Sequence, residues 1–274
     1  MADHAAMTID AIDFAQLYRD HMAAAGGRRK PPEEWDRRAA CYADKCGSAP
    51  NSYVANFIEL TAHDDCGTLL DVGCGPGVIA LALAPRMTQV FGLDYSPAML
   101  ARMEADAAAA GLMNVSGILR SWEDDWSDVP ACDLVVASRS TAVMDLDAAL
   151  KKLDAKARRR VCLTSPVGGR FIPPELFAAL GRSPPPRPAP PDYIYVLNLL
   201  HRMGRRPKVS FIANTSQFAE PVDFDALVRA LSFSLGELSG EEQRRLKAWR
   251  ETLPEDQWRF RGGPSHWAFV SWET

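Results

Sequence analysis

Short apolar segments recur through the middle of the chain, between residues 68 and 164. Each is followed by polar or glycine-rich residues, and several lead into stretches whose apolar positions recur at helical spacing. Short buried strands that alternate with helices predict a parallel sheet with helices on both faces, an α/β fold. The five predicted strands are residues 68–72, 89–93, 115–119, 133–137 and 160–164.

The segment before this alternation has a helical pattern. Residues 51–62 carry apolar side chains at the spacing of an amphipathic helix, and earlier helical pieces are broken by Gly and Pro pairs. We therefore predict an N-terminal helical cap over residues 1–65 and a main domain over residues 66–274.

The segment after the fifth strand departs from the alternation. Residues 183–191 hold six prolines in nine positions, which predicts a stiff surface connection. A dense apolar helix follows at 192–203, and two further strand patterns occur at 207–213 and 266–272. We predict that residues 166–206 are an insertion between the fifth and sixth strands.

Composition and charge narrow the classes of protein. The 274 residues are 47% hydrophobic and 24% charged, as in ordinary globular proteins, and the formal net charge is −4. This charge gives no global positive field that would attract nucleic acid or an anionic membrane. No apolar run reaches the length of a membrane span, and the first residues do not resemble a secretory signal. We predict a cytoplasmic protein.

Cysteine and histidine spacing gives no sign of a metal site. The six cysteines form no CxxC pair, and the five histidines form no HExxH motif. Reduced thiols and no bound metal are the expectation.

The strongest chemical signal is residues 69–78, LLDVGCGPGV. A predicted strand runs into Gly73, Gly75 and Gly77, and a helix pattern begins directly afterwards. Glycine permits positive φ and lets a ligand approach the backbone without a Cβ clash. The free N–H groups at a helix start favour an anionic or polar ligand.

Two nucleotide-binding interpretations compete for this turn. A dinucleotide-binding fingerprint has glycines at relative positions 1, 3 and 6, whereas here they stand at 1, 3 and 5, with Val78 at position 6. That fingerprint also gives no role to Asp71, the acid just before the turn. A nicotinamide-dependent oxidoreductase is therefore disfavoured.

The segment resembles motif I, D/E-x-G-x-G-x-G, of class I S-adenosylmethionine (SAM)-dependent methyltransferases. Asp94 ends the second strand 17 residues after Gly77, where the family places an acid that binds both ribose hydroxyls. A carboxylate suits this task because it accepts two hydrogen bonds at once. Residues 94–100, DYSPAML, resemble the family stretch D-x-S-x-x-M-L, whose apolar side chain packs on adenine.

The resemblance implies SAM as the cofactor and S-adenosylhomocysteine (SAH) as its product. Residues 121–126, 137–141 and 191–204 are similar to uncharacterised prokaryotic methyltransferase-like proteins. The implied cofactor-binding residues are Asp71, Gly73, Cys74, Gly75, Gly77, Asp94, Tyr95, Met99, Ser121, Trp122, Ser138 and Tyr42.

Three of these positions carry open alternatives. Ser121 stands where the family often has an Asp that contacts the adenine amine, so its side chain or backbone N–H groups take over that contact. Trp122 either stacks on adenine or forms a structural pair with Trp126. Tyr42 either covers the methionyl end of the cofactor or packs in the core.

The acceptor side is predicted at the end of the fourth strand. Ser138 and Arg139 follow that strand and, with Tyr42, are the acceptor-side candidates; no general base is assigned. Arg139 alternatively pairs with an acid within residues 123–128. A basic cluster either receives an acidic substrate or is a solvated surface; it comprises Arg202, Arg205, Arg206 and Lys208.

The family implies a Rossmann-like, doubly wound seven-stranded sheet of order 3-2-1-4-5-7-6 with the last strand antiparallel. We predict that the insertion, residues 166–206, is a lid that covers the acceptor. Nucleic-acid and protein-amide methyltransferases often carry N/D-P-P-Y after strand four, where this chain has Ala137-Ser138-Arg139-Ser140. We therefore predict methyl transfer to a small molecule by in-line displacement. The alternatives are a catalytically silent cofactor-binding module and a protein or RNA methyltransferase. The sequence leaves the oligomeric state open.

Overall fold

Seven strands form one sheet in the order β3-β2-β1-β4-β5-β7-β6 in the computed structural model. The structure describes residues 8–39, 52–168, 172, 174–213, 224–253 and 266–274. The strands are β1 (Thr68–Val72), β2 (Gln89–Asp94), β3 (Val115–Leu119), β4 (Cys132–Ala137), β5 (Ala157–Pro166), β6 (Lys208–Ala213) and β7 (His266–Glu273).

Ten α-helices occur within the described ranges, and none of them is long and apolar enough to cross a membrane. They are α1 (Phe14–Ala24), α2 (Pro32–Ala39), α3 (Ser52–Thr61), α4 (Val78–Leu83), α5 (Pro97–Ala109), α6 (Leu146–Lys156), α7 (Pro174–Leu180), α8 (Tyr193–Arg202), α9 (Phe224–Leu235) and α10 (Gly240–Glu251).

The strand directions confirm the predicted topology. Strands β1 to β5 run parallel to one another, while β7 is antiparallel to both β5 and β6. The carboxyl ends of β1, β2, β4 and β5 therefore meet at one edge of the sheet, which we call the carboxyl edge. In open α/β sheets ligands bind outside this edge, where the strand order reverses.

Helices cover both faces of the sheet because side chains alternate along each strand. In β4, Val135 belongs to one core and Leu134 and Val136 belong to the other. The first core includes buried side chains of α1, α6 and α8, and the second includes those of α3, α4 and α5. Strands buried on both faces explain why the sequence shows continuous apolar runs.

The three N-terminal helices are distributed over the molecule. Helix α1 packs against α6 and α8, α2 packs against α5, and α3 packs against α4, β6 and β7. They lie in both helical layers of the sheet. The division of the chain at residue 65 stays a prediction.

The two helices of the predicted insertion take different positions. Helix α8 lies in the first core, where Val196, Leu199 and Leu200 are buried. Helix α7 instead joins α9 and α10 in a third core, which contains Leu176, Leu180 and Leu246. The lid role of residues 166–206 stays a prediction, and the third core shows that residues after β6 belong with α7.

Candidate functional site

The glycine turn between β1 and α4 is tied to the end of β2. The backbone N–H groups of Gly73 and Cys74 both donate to the carbonyl of Leu93, at 2.7 and 3.1 Å. The Gly77 N–H donates to the Cys74 carbonyl at 3.0 Å, and Gly77 is the N-cap residue of α4. The turn thereby lies at the carboxyl edge, where β1 and β2 both end.

Two glycines of the turn serve different needs. Gly77 has φ 81°, and a Cβ there would lie 2.4 Å from Cγ of Met103, so close packing excludes a side chain. Gly75 has φ 55°, but a Cβ there would meet no atom within 4 Å. The backbone at Gly75 thus faces open space, as a surface that receives a ligand must.

Asp94 connects the turn to the start of α5. Its Oδ2 accepts a hydrogen bond from the N–H of Gly75, and its Oδ1 accepts one from the N–H of Ser96, both at 2.9 Å. Burial raises the pKa of this carboxyl, and the backbone hydrogen bonds oppose that rise. Each oxygen keeps a further lone pair for a ligand hydroxyl.

Asp71 lies beneath the turn. It is buried, and its Oδ2 accepts from the N–H of Ala80 at 3.1 Å. Burial raises its pKa to about 7, and the charge of Asp94 adds to the rise. These contacts make Asp71 a support of the turn and α4. Cys74 is similar, since its buried side chain belongs to the core and burial raises the pKa of its thiol well above the usual value.

Helix α2 reaches the start of α5 and carries a residue that sequence reasoning missed. The Ser96 hydroxyl donates to Oδ1 of Asp36 at 2.5 Å and accepts from the N–H of Met99 at 3.2 Å. The same Asp36 oxygen accepts from the N–H of Ala98 at 3.2 Å. Asp36 therefore contributes to the cap of a helix whose N-cap residue, Ser96, lies 60 residues later, and local spacing gives no signal for this.

Tyr95 and Met99 flank Asp94 differently. The Tyr95 hydroxyl donates to the carbonyl of Lys30 at 3.1 Å, and the guanidinium of Arg29 lies 5.2 Å from its ring centroid. Met99 is buried, with 2% of its surface exposed. The segment before α2 thus contacts the site beside Asp94.

Ser121 lies beyond the end of β3, beside Asp94, since the N–H of Arg120 donates to the Asp94 carbonyl at 3.1 Å. The Ser121 N–H donates to Oδ2 of Asp124 at 2.7 Å. A carboxylate therefore stands next to position 121 although the residue there is serine. The backbone carbonyl of Ser121 accepts a hydrogen bond from Nε1 of Trp126 at 2.8 Å.

Trp122 pairs with Trp126, at a centroid separation of 5.5 Å and an interplanar angle of 32°. Trp126 is buried, and the ammonium of Lys152 lies 5.1 Å from its ring centroid. The structural pair that the sequence left open is present.

The two residues after β4 take part in a second polar group, which draws its other members from α3, β5 and β7. We call it the Tyr53 cluster: Tyr53, Ser138, Arg139, Thr164 and Trp267. The hydroxyl of Tyr53 hydrogen-bonds to Oγ of Ser138 at 2.8 Å and to Oγ1 of Thr164 at 2.9 Å. The Arg139 N–H donates to the same Thr164 oxygen at 2.9 Å. The Arg139 guanidinium lies 3.4 Å from the centroid of Tyr53 and 5.5 Å from that of Trp267.

Ser140 joins the two parts of the site. Its hydroxyl donates to the carbonyl of Val72 at 2.7 Å, directly before the glycine turn. A Cβ on Gly73 would lie 2.4 Å from Cβ of Ser140. The Tyr53 cluster therefore follows directly on a segment that touches the turn.

Sequence reasoning missed Tyr53, Thr164 and Trp267. Tyr53 was placed only on an apolar helix face, and Trp267 only in a strand. A weak signal existed at Thr164, a polar residue at the carboxyl end of an apolar strand. Tyr42 lies outside the described residues, so its predicted contacts stay a prediction.

The predicted basic cluster lies away from this site. Arg202 donates to the carbonyls of Ile9, Asp10 and Ile12, and Arg205 forms an ion pair with Asp154 at 2.7 Å. Both precede β6, which starts at the edge opposite the carboxyl edge. Acids in the 123–128 loop pair with other arginines, Glu123 with Arg29 and Asp128 with Arg120.

A methyltransferase-domain family model matches residues 69–159, which include the glycine turn, Asp94 and Arg139. An uncharacterized protein of Haemophilus influenzae is 36% identical over 268 residues, 98% of this chain and 99% of that protein. Nocamycin O-methyltransferase of Saccharothrix syringae is 36% identical over 105 residues, 36% of this chain and 38% of that enzyme.

One solved structure has a similar fold over nearly the whole length of both chains. The structure of coclaurine N-methyltransferase bound to N-methylheliamine and SAH is similar with a TM-score of 0.53, and the match covers 98% of this chain and 95% of that one. The sequence identity is 12%, so this likeness concerns the fold.

Proposed function

Because the chain belongs to the class I SAM-dependent methyltransferases, we propose that it transfers the methyl group of SAM to a small-molecule acceptor at the carboxyl end of β4. One observation carries this proposal. The glycine turn, whose backbone is open at Gly75 and hydrogen-bonded to Asp94, is in direct contact with Ser140, the residue that follows Arg139 of the Tyr53 cluster.

The residues fit the cofactor at the turn. Gly75 leaves room against the backbone, and Asp94 retains lone pairs for the two ribose hydroxyls. Asp124 brings an acceptor for the adenine amine to the position of Ser121. When bound, SAM supplies a methyl group that its sulfonium makes electrophilic.

The protein's contribution to the rate is positioning. Holding two reactants in line and excluding water supplies about 7–11 kcal/mol of barrier reduction in favourable cases. The rigid parts here are the hydrogen-bonded turn and the buried Tyr53 hydroxyl, which fixes Ser138 and Thr164. We assign no general base, since a thiol or neutral amine acceptor needs none.

A small molecule is the proposed acceptor class. The net charge of −4 disfavours a polyanionic nucleic acid, and residues 137–140 read ASRS in place of N/D-P-P-Y. A protein or RNA acceptor is the competing possibility.

Transfer of a labelled methyl group tests the acceptor class. Purified protein is incubated with methyl-labelled SAM and a bacterial lysate separated into small-molecule, protein and RNA fractions. We expect label in the small-molecule fraction. Label in protein or RNA contradicts the acceptor class, and cofactor binding without transfer to any fraction identifies a catalytically silent module. An Asp94→Ala protein serves as the control for transfer by a contaminant.

A further inference from the structure

Arg139 has a strained backbone that its surroundings enforce. Its φ is 57°, in the left-handed region that residues with a β-carbon avoid. The hydrogen bond from its N–H to Thr164 Oγ1 holds it there. Strain of this kind persists where surrounding structure fixes it, and it is concentrated at functional sites.

The Arg139 side chain is oriented by an aromatic surface. Its guanidinium lies 3.4 Å from the Tyr53 centroid, and Tyr53 is itself fixed by two hydrogen bonds. A guanidinium that stacks on a ring face keeps its N–H groups in its own plane, where they match both oxygens of a carboxylate or phosphate.

Trp267 places a second donor in the same cluster. Its Nε1 is buried and has no hydrogen-bond acceptor among the described residues. Buried N–H groups in folded proteins are nearly always bonded, so an unsatisfied one indicates a missing acceptor. The Arg139 guanidinium lies 5.5 Å from this ring.

From these observations we propose that the methyl acceptor carries an anionic oxygen group, a carboxylate or a phosphate, which Arg139 binds with the indole N–H of Trp267 as second donor. This assignment rests on the proposed function, because the proposed function places the methyl acceptor at the carboxyl end of β4, where Arg139 lies. The sequence offered the basic cluster at residues 202–208 as a site for an acidic substrate. We instead assign binding of an acidic substrate to Arg139, at the carboxyl edge.

Binding of simple anions to the SAH-loaded protein tests this assignment. Titration calorimetry with SAH comes first, and the loaded protein is then titrated with benzoate, phenyl phosphate and the uncharged benzamide. We expect at least one of the two anions to bind and benzamide not to bind. The better anion identifies the acceptor as a carboxylate or a phosphate.

Substitutions locate the anion. Arg139→Gln is expected to weaken the better anion at least about tenfold, the usual effect of losing a hydrogen bond to a charged group. Arg139→Lys, which keeps the charge but loses the planar fork, is expected to have an intermediate effect. Trp267→Phe keeps a ring and removes the N–H, and we expect several-fold weaker binding.

The control is Arg159→Gln, which removes a guanidinium that pairs with Asp65 near the start of β5, opposite the carboxyl edge of the sheet. It should leave anion binding unchanged, and unchanged SAH affinity in every variant shows that the fold is intact. The assignment is overturned if neither anion binds the SAH-loaded protein, or if Arg139→Gln binds the anion as tightly as the natural protein. Failure of SAH itself to bind refutes the proposed function, and the assignment falls with it.

Discussion

The Asp94 carboxylate accepts hydrogen bonds from two backbone N–H groups, and each of its oxygens keeps a further lone pair for a ligand. We expect Asp94→Ala to weaken SAM and SAH binding about tenfold or more, because a hydrogen bond to a charged group contributes about 1.5–3 kcal/mol. Calorimetric titration measures this. The matched control is Asp133→Ala, since Asp133 also accepts from two backbone N–H groups, those of Gly67 and Thr68, but at the opposite edge. Unchanged affinity in folded Asp94→Ala protein would remove Asp94 from the site.

Asp71 makes stability depend on pH. Its pKa is about 7 in the folded protein, against about 4 in an unfolded chain. Between these values the folded state keeps the proton that the unfolded state has lost, so the free energy of unfolding falls as pH rises from 4 to 7 and is level above. We expect Asp71→Asn, which does not titrate, to lack this fall.

Urea unfolding of natural protein and of Asp71→Asn between pH 4 and 8 measures how the free energy of unfolding changes with pH. The stability of natural protein relative to Asp71→Asn should decrease by a few kcal/mol across the window, at about 1.4 kcal/mol per pKa unit. Parallel profiles would show that burial does not raise this pKa.

At the scale of elements, two glycines of the turn are expected to have different roles, Gly77 in packing and Gly75 in binding the cofactor. Gly77→Ala introduces a Cβ 2.4 Å from Met103 at φ 81°, so we expect a stability loss of about 2 kcal/mol or more. Gly75→Ala meets no neighbour, so we expect a loss of about 1 kcal/mol from its φ alone, together with a much larger loss of SAM affinity. Thermal unfolding and calorimetry on both variants measure the two effects. Equal SAM affinity of Gly75→Ala and natural protein would contradict a ligand at that backbone.

Local patterns predicted the elements well. The glycine spacing located the turn, and the capping box that Ser239 and Glu242 form at the start of α10 follows the S/T-x-x-E pattern of the sequence. Both signals act within a few residues. Asp36 acts on α5 across 60 residues, and Tyr53 meets Thr164 across 111, so neither contact has a local pattern that reveals it.

At the scale of the whole molecule, the residues that the structure describes form three cores. Two lie on the faces of the sheet, and the third joins α7 with α9 and α10. Periodicity predicts that these helices have apolar faces but not which faces meet. The strand order came from the family resemblance, and the partnership of α7 with residues beyond β6 was not predicted, because it joins segments separated by α8 and β6.

The third core should be separable from the cofactor site. Leu246 and Leu150 are both fully buried, the first in the third core and the second on a sheet face. We expect Leu246→Ala to lower the free energy of unfolding of this core by about 2–5 kcal/mol. Hydrogen exchange in α7 and α10 should then be faster, while SAH affinity stays unchanged. Leu150→Ala is the control and should speed exchange across the sheet. A tenfold loss of SAH affinity in Leu246→Ala would show that the third core supports the cofactor site.

The proposed function requires that the glycine turn and Asp94 bind SAM. Calorimetric titration of the purified protein with SAM, SAH and NADH measures this binding. We expect micromolar binding of SAM and SAH and no binding of NADH. Absence of heat with SAM and SAH, or binding of NADH in their place, would contradict it.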